Sequence, residues 1–256
     1  MSETGNQRPD ATDVAVRVIV LRHVIGYGQN LPDPFELEDA SATWTDDERL
    51  VIEDESRRVR DDYWATLGEF SAHLSPKERE FSQMSIADYD PFRMIDVSWR
   101  LEALGMLLWA LGYVENLPSY DTQFGVEDIE IFTKTDPQIF FDNAKLRPQE
   151  ELDKARDNAE AWNWRSRTRQ LIEDGTAFPD DAELASAGFS SFDDIVRNAS
   201  KINTENGTFN AIDEDWPAFG KAYRDLSEDE WYLVQSITME RHFALNWLCG
   251  HAPNNY

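Results

Sequence analysis

Residues 97–112 are apolar on nearly every side when wound at 3.6 residues per turn: Ser98-Trp99-Arg100-Leu101-Glu102-Ala103-Leu104, then Leu108-Trp109-Ala110-Leu111-Gly112. A helix of this kind has no solvent face of its own and needs other helices around it. Two further stretches repeat the pattern, Trp162-Asn163-Trp164-Arg165-Ser166-Arg167-Thr168 and Met239-Glu240-Arg241-His242-Phe243-Ala244-Leu245-Asn246-Trp247-Leu248. Each sets charged residues among Trp and Leu at helical spacing. The expected fold is all-α, a compact multi-helix array with at most a small β-hairpin.

The helix punctuation supports that reading. Residues 10–27 carry Val14, Val18, Leu21 and Ile25 on one stripe, before Gly26, Gly28, Pro32 and Pro34. A long helix is expected from about Asp46, with Val59, Tyr63, Leu67, Phe70 and Leu74 recurring at steps of four and three. Ser75-Pro76-Lys77-Glu78 is a capping box with proline in the first turn, and Ser227 to Glu230 is a second box. Pro137 opens a short helix, and Gly112, Gly175 and Gly250 are placed to stop helices. Asn206-Gly207 is a type I′ turn signal, so the small hairpin is expected there. No repeat and no linker divides the chain. Residues 1–10 are expected to be disordered, and 11–256 to form a single helical domain.

Charged residues inside apolar helices are the candidate site. Arg241 falls within the apolar stripe of the last helix, Glu240 borders it, and Arg100 and Glu102 sit similarly in the central helix. A lone buried charge is costly, so these groups must find partners; pairing Arg100 or Arg241 with Glu102 or Glu240 across helices is the simplest arrangement. Trp164 and Arg165 extend the cluster, with guanidinium stacking on indole as one possibility and arginine stems covering apolar surface as another. Gln235, Thr238, His242, Asn246 and Cys249 recur at helical steps as a polar stripe. His242 could do acid–base work in a cleft, while a solvated helix face is the blander reading.

Composition limits the partners. Fifty acidic against 24 basic residues give a net charge of −26, which repels phosphate backbones and anionic lipid. Neither nucleic acid nor membrane is an expected partner, whereas a basic protein would be attracted. Such acidity also keeps proteins dispersed, whatever they bind. One cysteine excludes an internal disulfide, and the polar start lacks a signal-peptide core, so a cytoplasmic location is expected. The histidines and Cys249 show no zinc spacing, Asp88/Asp90 and Asp213/Asp215 lack the rest of a calcium loop, and no Walker, GxGxxG or GxSxG element is present. No metal or cofactor is expected, and no catalytic residue can be named.

At its marked stretches the chain resembles the domain-of-unknown-function 4272 family of bacterial and archaeal proteins. The residues carrying the resemblance are Ser98 through Gly112, Leu146-Arg147-Pro148, Trp162 through Thr168, Phe219-Gly220-Lys221, and Glu240 through Gly250. The resemblance implies a cytosolic helical protein with no assigned reaction. Two functions are therefore weighed. One is a non-catalytic protein-binding module, of immunity or adaptor type, whose acidic surface meets a basic partner. The other is an enzyme or small-ligand-binding protein with a polar pocket lined by Arg100, Glu102, Glu240, Arg241 and His242.

Overall fold

A computed structural model describes residues 8–31, 42–84, 91–125 and 137–252. Among the described residues the regular elements are helices, apart from one two-stranded antiparallel sheet and an isolated bridge between Ile212 and Asp215. It forms two compact units, unit 1 from residues 1–117, 124–148 and 246–256, and unit 2 from 118–123 and 149–245. The sequence shows no linker because the chain passes between units several times, the last time inside a helix.

Unit 1 contains α1 (Ala11–Gln29), α2 (Asp46–Ala65), a 3₁₀ turn (Gly68–His73), α3 (Pro76–Gln83), α4 (Pro91–Ala110) and α5 (Pro137–Asn143). Asp10, at the edge of the expected disordered terminus, closes a capping box with Asp13 and starts α1; residues 1–7 lie outside the described residues. Val14, Val18, Leu21 and Ile25 are buried as expected, but so are Ala15, Val20 and Val24 on other sides. Burying each such Val or Leu contributes about 1.5–3 kcal/mol, so α1 is held by its surroundings rather than by one stripe. It packs against α4. Gly105 of α4 permits a close approach: a Cβ there would lie 2.4 Å from the Phe124 ring.

The long helix expected from Asp46 to Leu74 is interrupted. α2 stops at Ala65, and Gly68, at φ 57°, turns the backbone into the 3₁₀ segment. Leu67 and Leu74 still reach the core, because a tight turn presents residues at nearly the same spacing as a helix. Val59, assigned to the same stripe, faces solvent.

Unit 2 contains α6 (Gln149–Glu173), α7 (Ala182–Ser186), α8 (Phe192–Glu205), strands β1 (Pro217–Ala218) and β2 (Lys221–Ala222), and most of α9 (Glu228–Leu248). The hairpin is not at Asn206-Gly207. There Gly207, at φ 70°, terminates α8: its amide donates to the Thr204 carbonyl and that of Thr208 to Asn203. This is a Schellman stop, the other common use of a left-handed glycine after a polar residue. The hairpin turns instead at Phe219-Gly220, both at positive φ, with Pro217 opposite Ala222 and Ala218 opposite Lys221. Gly112, Gly175 and Gly250 end α4, α6 and α9 in the same Schellman pattern.

Candidate functional site

In unit 2 the buried Arg165 of α6 meets a buried carboxylate. Asp215, fully buried, accepts from Arg165 Nε at 2.7 Å and Nη2 at 2.8 Å. It also accepts the backbone amides of Trp216 at 2.8 Å and Arg224 at 3.0 Å. Four donors on one carboxylate, two of them charged in the bidentate fork that suits arginine, fix α6 to the hairpin region. The Arg165 guanidinium lies 4.5 Å from the Tyr223 ring centroid, and that of Arg169 lies 4.9 Å from Trp231. These arginines therefore stack on distant aromatics rather than on the neighbouring Trp162 and Trp164. Arg169 also donates to the carbonyls of Tyr223 and Leu226, each at 3.0 Å. Trp164 is half-buried, with its ring centroid 5.8 Å from Trp216.

On α9, Arg241 is 1% exposed and spans three carbonyls, Pro118 at 2.8 Å, Ser119 at 3.2 Å and Thr122 at 2.8 Å. Its guanidinium lies 5.0 Å from the Tyr120 ring, which stacks in turn on Trp162. Within the same short loop, Asp121 accepts from the Phe219 amide at 2.7 Å and from the Ser119 hydroxyl. Burial works against ionisation of Asp121, but these hydrogen bonds outweigh it and hold its carboxyl below the usual range. Glu240 is buried, and His242 is half-buried with Nε2 2.7 Å from a Glu160 carboxylate oxygen. Asn246 stands one turn beyond His242; its carbonyl accepts the His251 amide in the α9 stop.

Unit 1 also holds a buried ion pair that the sequence alone does not mark. Arg17 of α1 and Glu78 of α3 pair through two prongs, Nη1 to Oε2 at 2.9 Å and Nη2 to Oε1. The signal that could have found Arg17 is its setting among Val14, Val18 and Leu21, on the apolar stripe of its helix. Arg147, half-buried, donates to the carbonyls of Trp109 at 2.7 Å, Val114 at 3.0 Å and Glu115 at 3.1 Å. It thereby satisfies carbonyls at and beyond the C-terminal end of α4, where a cation is favoured. Glu102, 1% exposed on α4, accepts the Phe124 amide at 2.8 Å.

Arg100 has a different setting. It is half-buried and lines a cavity of about 240 Å³ between α3 and α4, with Lys77, Glu80 and Asp96 as further charged walls. Val24, Phe81 and Val97 give the apolar surface, and Glu78 closes one side. Of the five residues expected to share a pocket, Arg100 alone lines this one. Glu102 turns to backbone, and Glu240, Arg241 and His242 belong to unit 2.

A separate surface feature lies on α2. None of its side chains is buried, and Leu50, Val51 and Val59 are 65%, 64% and 63% exposed. Asp47, Glu55 and Asp62 are exposed on the same helix, as is Asp54, which already pairs with Arg58 at 2.6 Å.

The family model described as Domain of unknown function (DUF4272) matches residues 2–182. The chain belongs to that family. No curated protein and no solved structure matches it. The family match contains both members of the Arg17–Glu78 pair, the residues lining the unit 1 cavity, Arg147, and the whole of α2. It contains Arg165 but ends before its partner Asp215, and it ends before Arg241. The 240–250 run, which strengthens the resemblance in the sequence, lies outside the matched residues. Among the described residues no helix is long and apolar enough to cross a membrane, and no group of His, Cys, Asp and Glu is arranged to hold a metal ion.

Proposed function

We propose that this chain is a non-catalytic, cytoplasmic protein-binding module that receives a basic amphipathic segment of a partner protein on the outer face of α2. The supporting observation is the pairing of Leu50 and Val51, each nearly two-thirds exposed, with carboxylates on a helix that buries no side chain. An amphipathic helix ordinarily hides its apolar residues against the core. Here Tyr63 and Trp64 pack inward near one end, while Leu50 and Val51 stay outside. A partner bringing lysine or arginine to the carboxylates and an apolar side chain to Leu50 and Val51 matches both features, and the net charge of −26 would speed its approach.

The test is quantitative affinity capture from a lysate of the producing cells, run in parallel with wild type and the Leu50→Ser/Val51→Ser double variant. The expected result is a basic protein retained at low ionic strength, released as salt rises, and lost from the variant. Retention that is indifferent to salt, or equal on both proteins, overturns the proposal, as does capture of nothing at low salt.

A further inference from the structure

The outer side of α2 is built from two neighbouring rows that step four residues at a time. One carries Asp47, Val51 and Glu55, the other Leu50, Asp54 and Arg58, and all of them are exposed. Four residues of helix rise about 6 Å, so the rows present successive levels a turn apart. Asp47 forms the first level, Leu50 with Val51 the second, and Asp54 with Glu55 the third. The carboxylates differ in their commitments. Asp54 is held by Arg58 at 2.6 Å, with Arg57 at 3.6 Å. Asp47 and Glu55 hold no ion pair among the described residues. The order along the face is therefore an open carboxylate, an apolar pair, and a second open carboxylate.

We infer that the partner segment is an α-helix that sets one apolar side chain between two cations, four residues to each side; this deepens the α2 reading above and rests on it. A helix offers its own ridge of four-residue steps, which seats in the groove between two such rows, the commonest way helices pack. The apolar side chain then lies on Leu50 and Val51, while one cation reaches Asp47 and the other Glu55. An extended segment is a poorer match. It would press unpaired backbone amides and carbonyls onto Leu50 and Val51, and the middle of α2 has no free backbone edge to answer them. A wholly apolar helix would strip water from the carboxylates and leave them unpaired. Arg58 sets the number of cations at two, because it competes for Asp54 from within the same helix.

Fluorescence anisotropy at low ionic strength with two labelled synthetic peptides of identical composition, rich in alanine and glutamine, tests the inference. In the first, lysines stand four residues before and after a central leucine, on one helical face. In the second they stand two residues away, on the opposite face of a helix but the same face of a strand. The first is expected to bind saturably and one-to-one, and the second about fivefold more weakly or worse. Asp47→Asn and Glu55→Gln should each weaken the first peptide by about two- to fivefold, the range of exposed ion pairs, and Arg58→Gln should strengthen it by about twofold. All three positions are exposed, and far-UV circular dichroism checks that the variants stay folded. Equal binding of the two peptides, preference for the second, binding unmoved by Asp47→Asn and Glu55→Gln, or no binding of the first up to about 1 mM overturns the inference. Lysate capture that is lost from Leu50→Ser/Val51→Ser, without preference between the peptides, overturns the helical partner alone. Failed capture with the first peptide preferred overturns the cellular reading alone.

Discussion

Glu78 holds Arg17 of another helix with the same carboxylate that caps its own. Its Oε2 accepts Arg17 Nη1 at 2.9 Å and the Ser75 amide at 2.8 Å, while Oε1 accepts Arg17 Nη2. Glu78→Ala therefore removes the cap and leaves a buried guanidinium without its counter-charge, an expected loss of about 3–5 kcal/mol by urea denaturation. Ser75→Ala, which removes only the hydroxyl that receives the Glu78 amide, should cost about 1 kcal/mol. Replacing both charges together, Arg17→Met with Glu78→Leu, should return stability to within about 2 kcal/mol of wild type, because neither charge is then stranded. A double variant as unstable as Glu78→Ala alone would show that packing, not charge, holds this contact.

Tyr223 gives an alkaline signature. Burial pushes its phenol up to about 12, with smaller opposing influences from Ser166 and from Arg165 and Arg169. A folded value above the unfolded value near 10 means the neutral phenol is favoured in the fold. Its contribution to stability is complete below pH 10 and is lost as pH rises from there through about 12. Absorbance titration at 295 nm should therefore show a late tyrosine that Tyr223→Phe removes, and the variant should lose stability less steeply above pH 10. A titration unchanged by Tyr223→Phe would contradict this.

Two residues before Asp215 carry strain that can be relieved. Asp213 and Glu214 adopt φ of 47° and 62°, and Ile212 and Asp215 exchange backbone hydrogen bonds across them. This is a two-residue turn with both central residues left-handed, a conformation that suits Asn-Gly and is unfavourable for glutamate. Glu214→Gly should stabilise the protein by about 0.5–1 kcal/mol, since the exposed Arg197–Glu214 contact at 3.7 Å offers little in return. The measurement is the shift in urea midpoint at constant slope. A drop in stability would place more weight on that surface contact than its exposure allows.

Local features were the legible part of the sequence. Ser75–Glu78 and Ser227–Glu230 form reciprocal capping boxes as their spacing predicts, because every donor and acceptor lies within one turn. Asn206-Gly207 shows the ambiguity of such signals, since a left-handed glycine serves a helix stop as well as a hairpin. In the sequence Asp215 reads only as half of an incomplete calcium pair with Asp213, because its partner Arg165 lies 50 residues earlier. Arg17 carries no local signal of its partner, which is 61 residues away. The arginines of α6 were placed in a cluster with aromatics, but which aromatic each one meets depends on chain crossings that no local pattern encodes. The cavity of unit 1 was half legible: Arg100 stood out within an apolar helix, whereas Lys77, Glu80 and Asp96 read as ordinary surface charges.

Arg241 separates a structural role from a merely charged one. Its guanidinium ties α9 to the loop at 118–122, and the same loop, through Asp121, receives the amide of Phe219 in the left-handed hairpin turn. Arg241→Ala leaves three carbonyls without this donor and removes the plane lying over Tyr120, for an expected loss of about 3–5 kcal/mol. Arg241→Lys keeps the charge but offers one nitrogen where two now divide three carbonyls, so it should recover less than half of that loss. Amide hydrogen exchange provides the local readout. In Arg241→Ala the Phe219 amide should lose protection together with the loop, whereas the Thr208 amide in the α8 stop should change only as global stability does. A lysine variant as stable as wild type, or a Phe219 amide still protected in Arg241→Ala beyond the global change, would mean that the hairpin turn holds its conformation without α9.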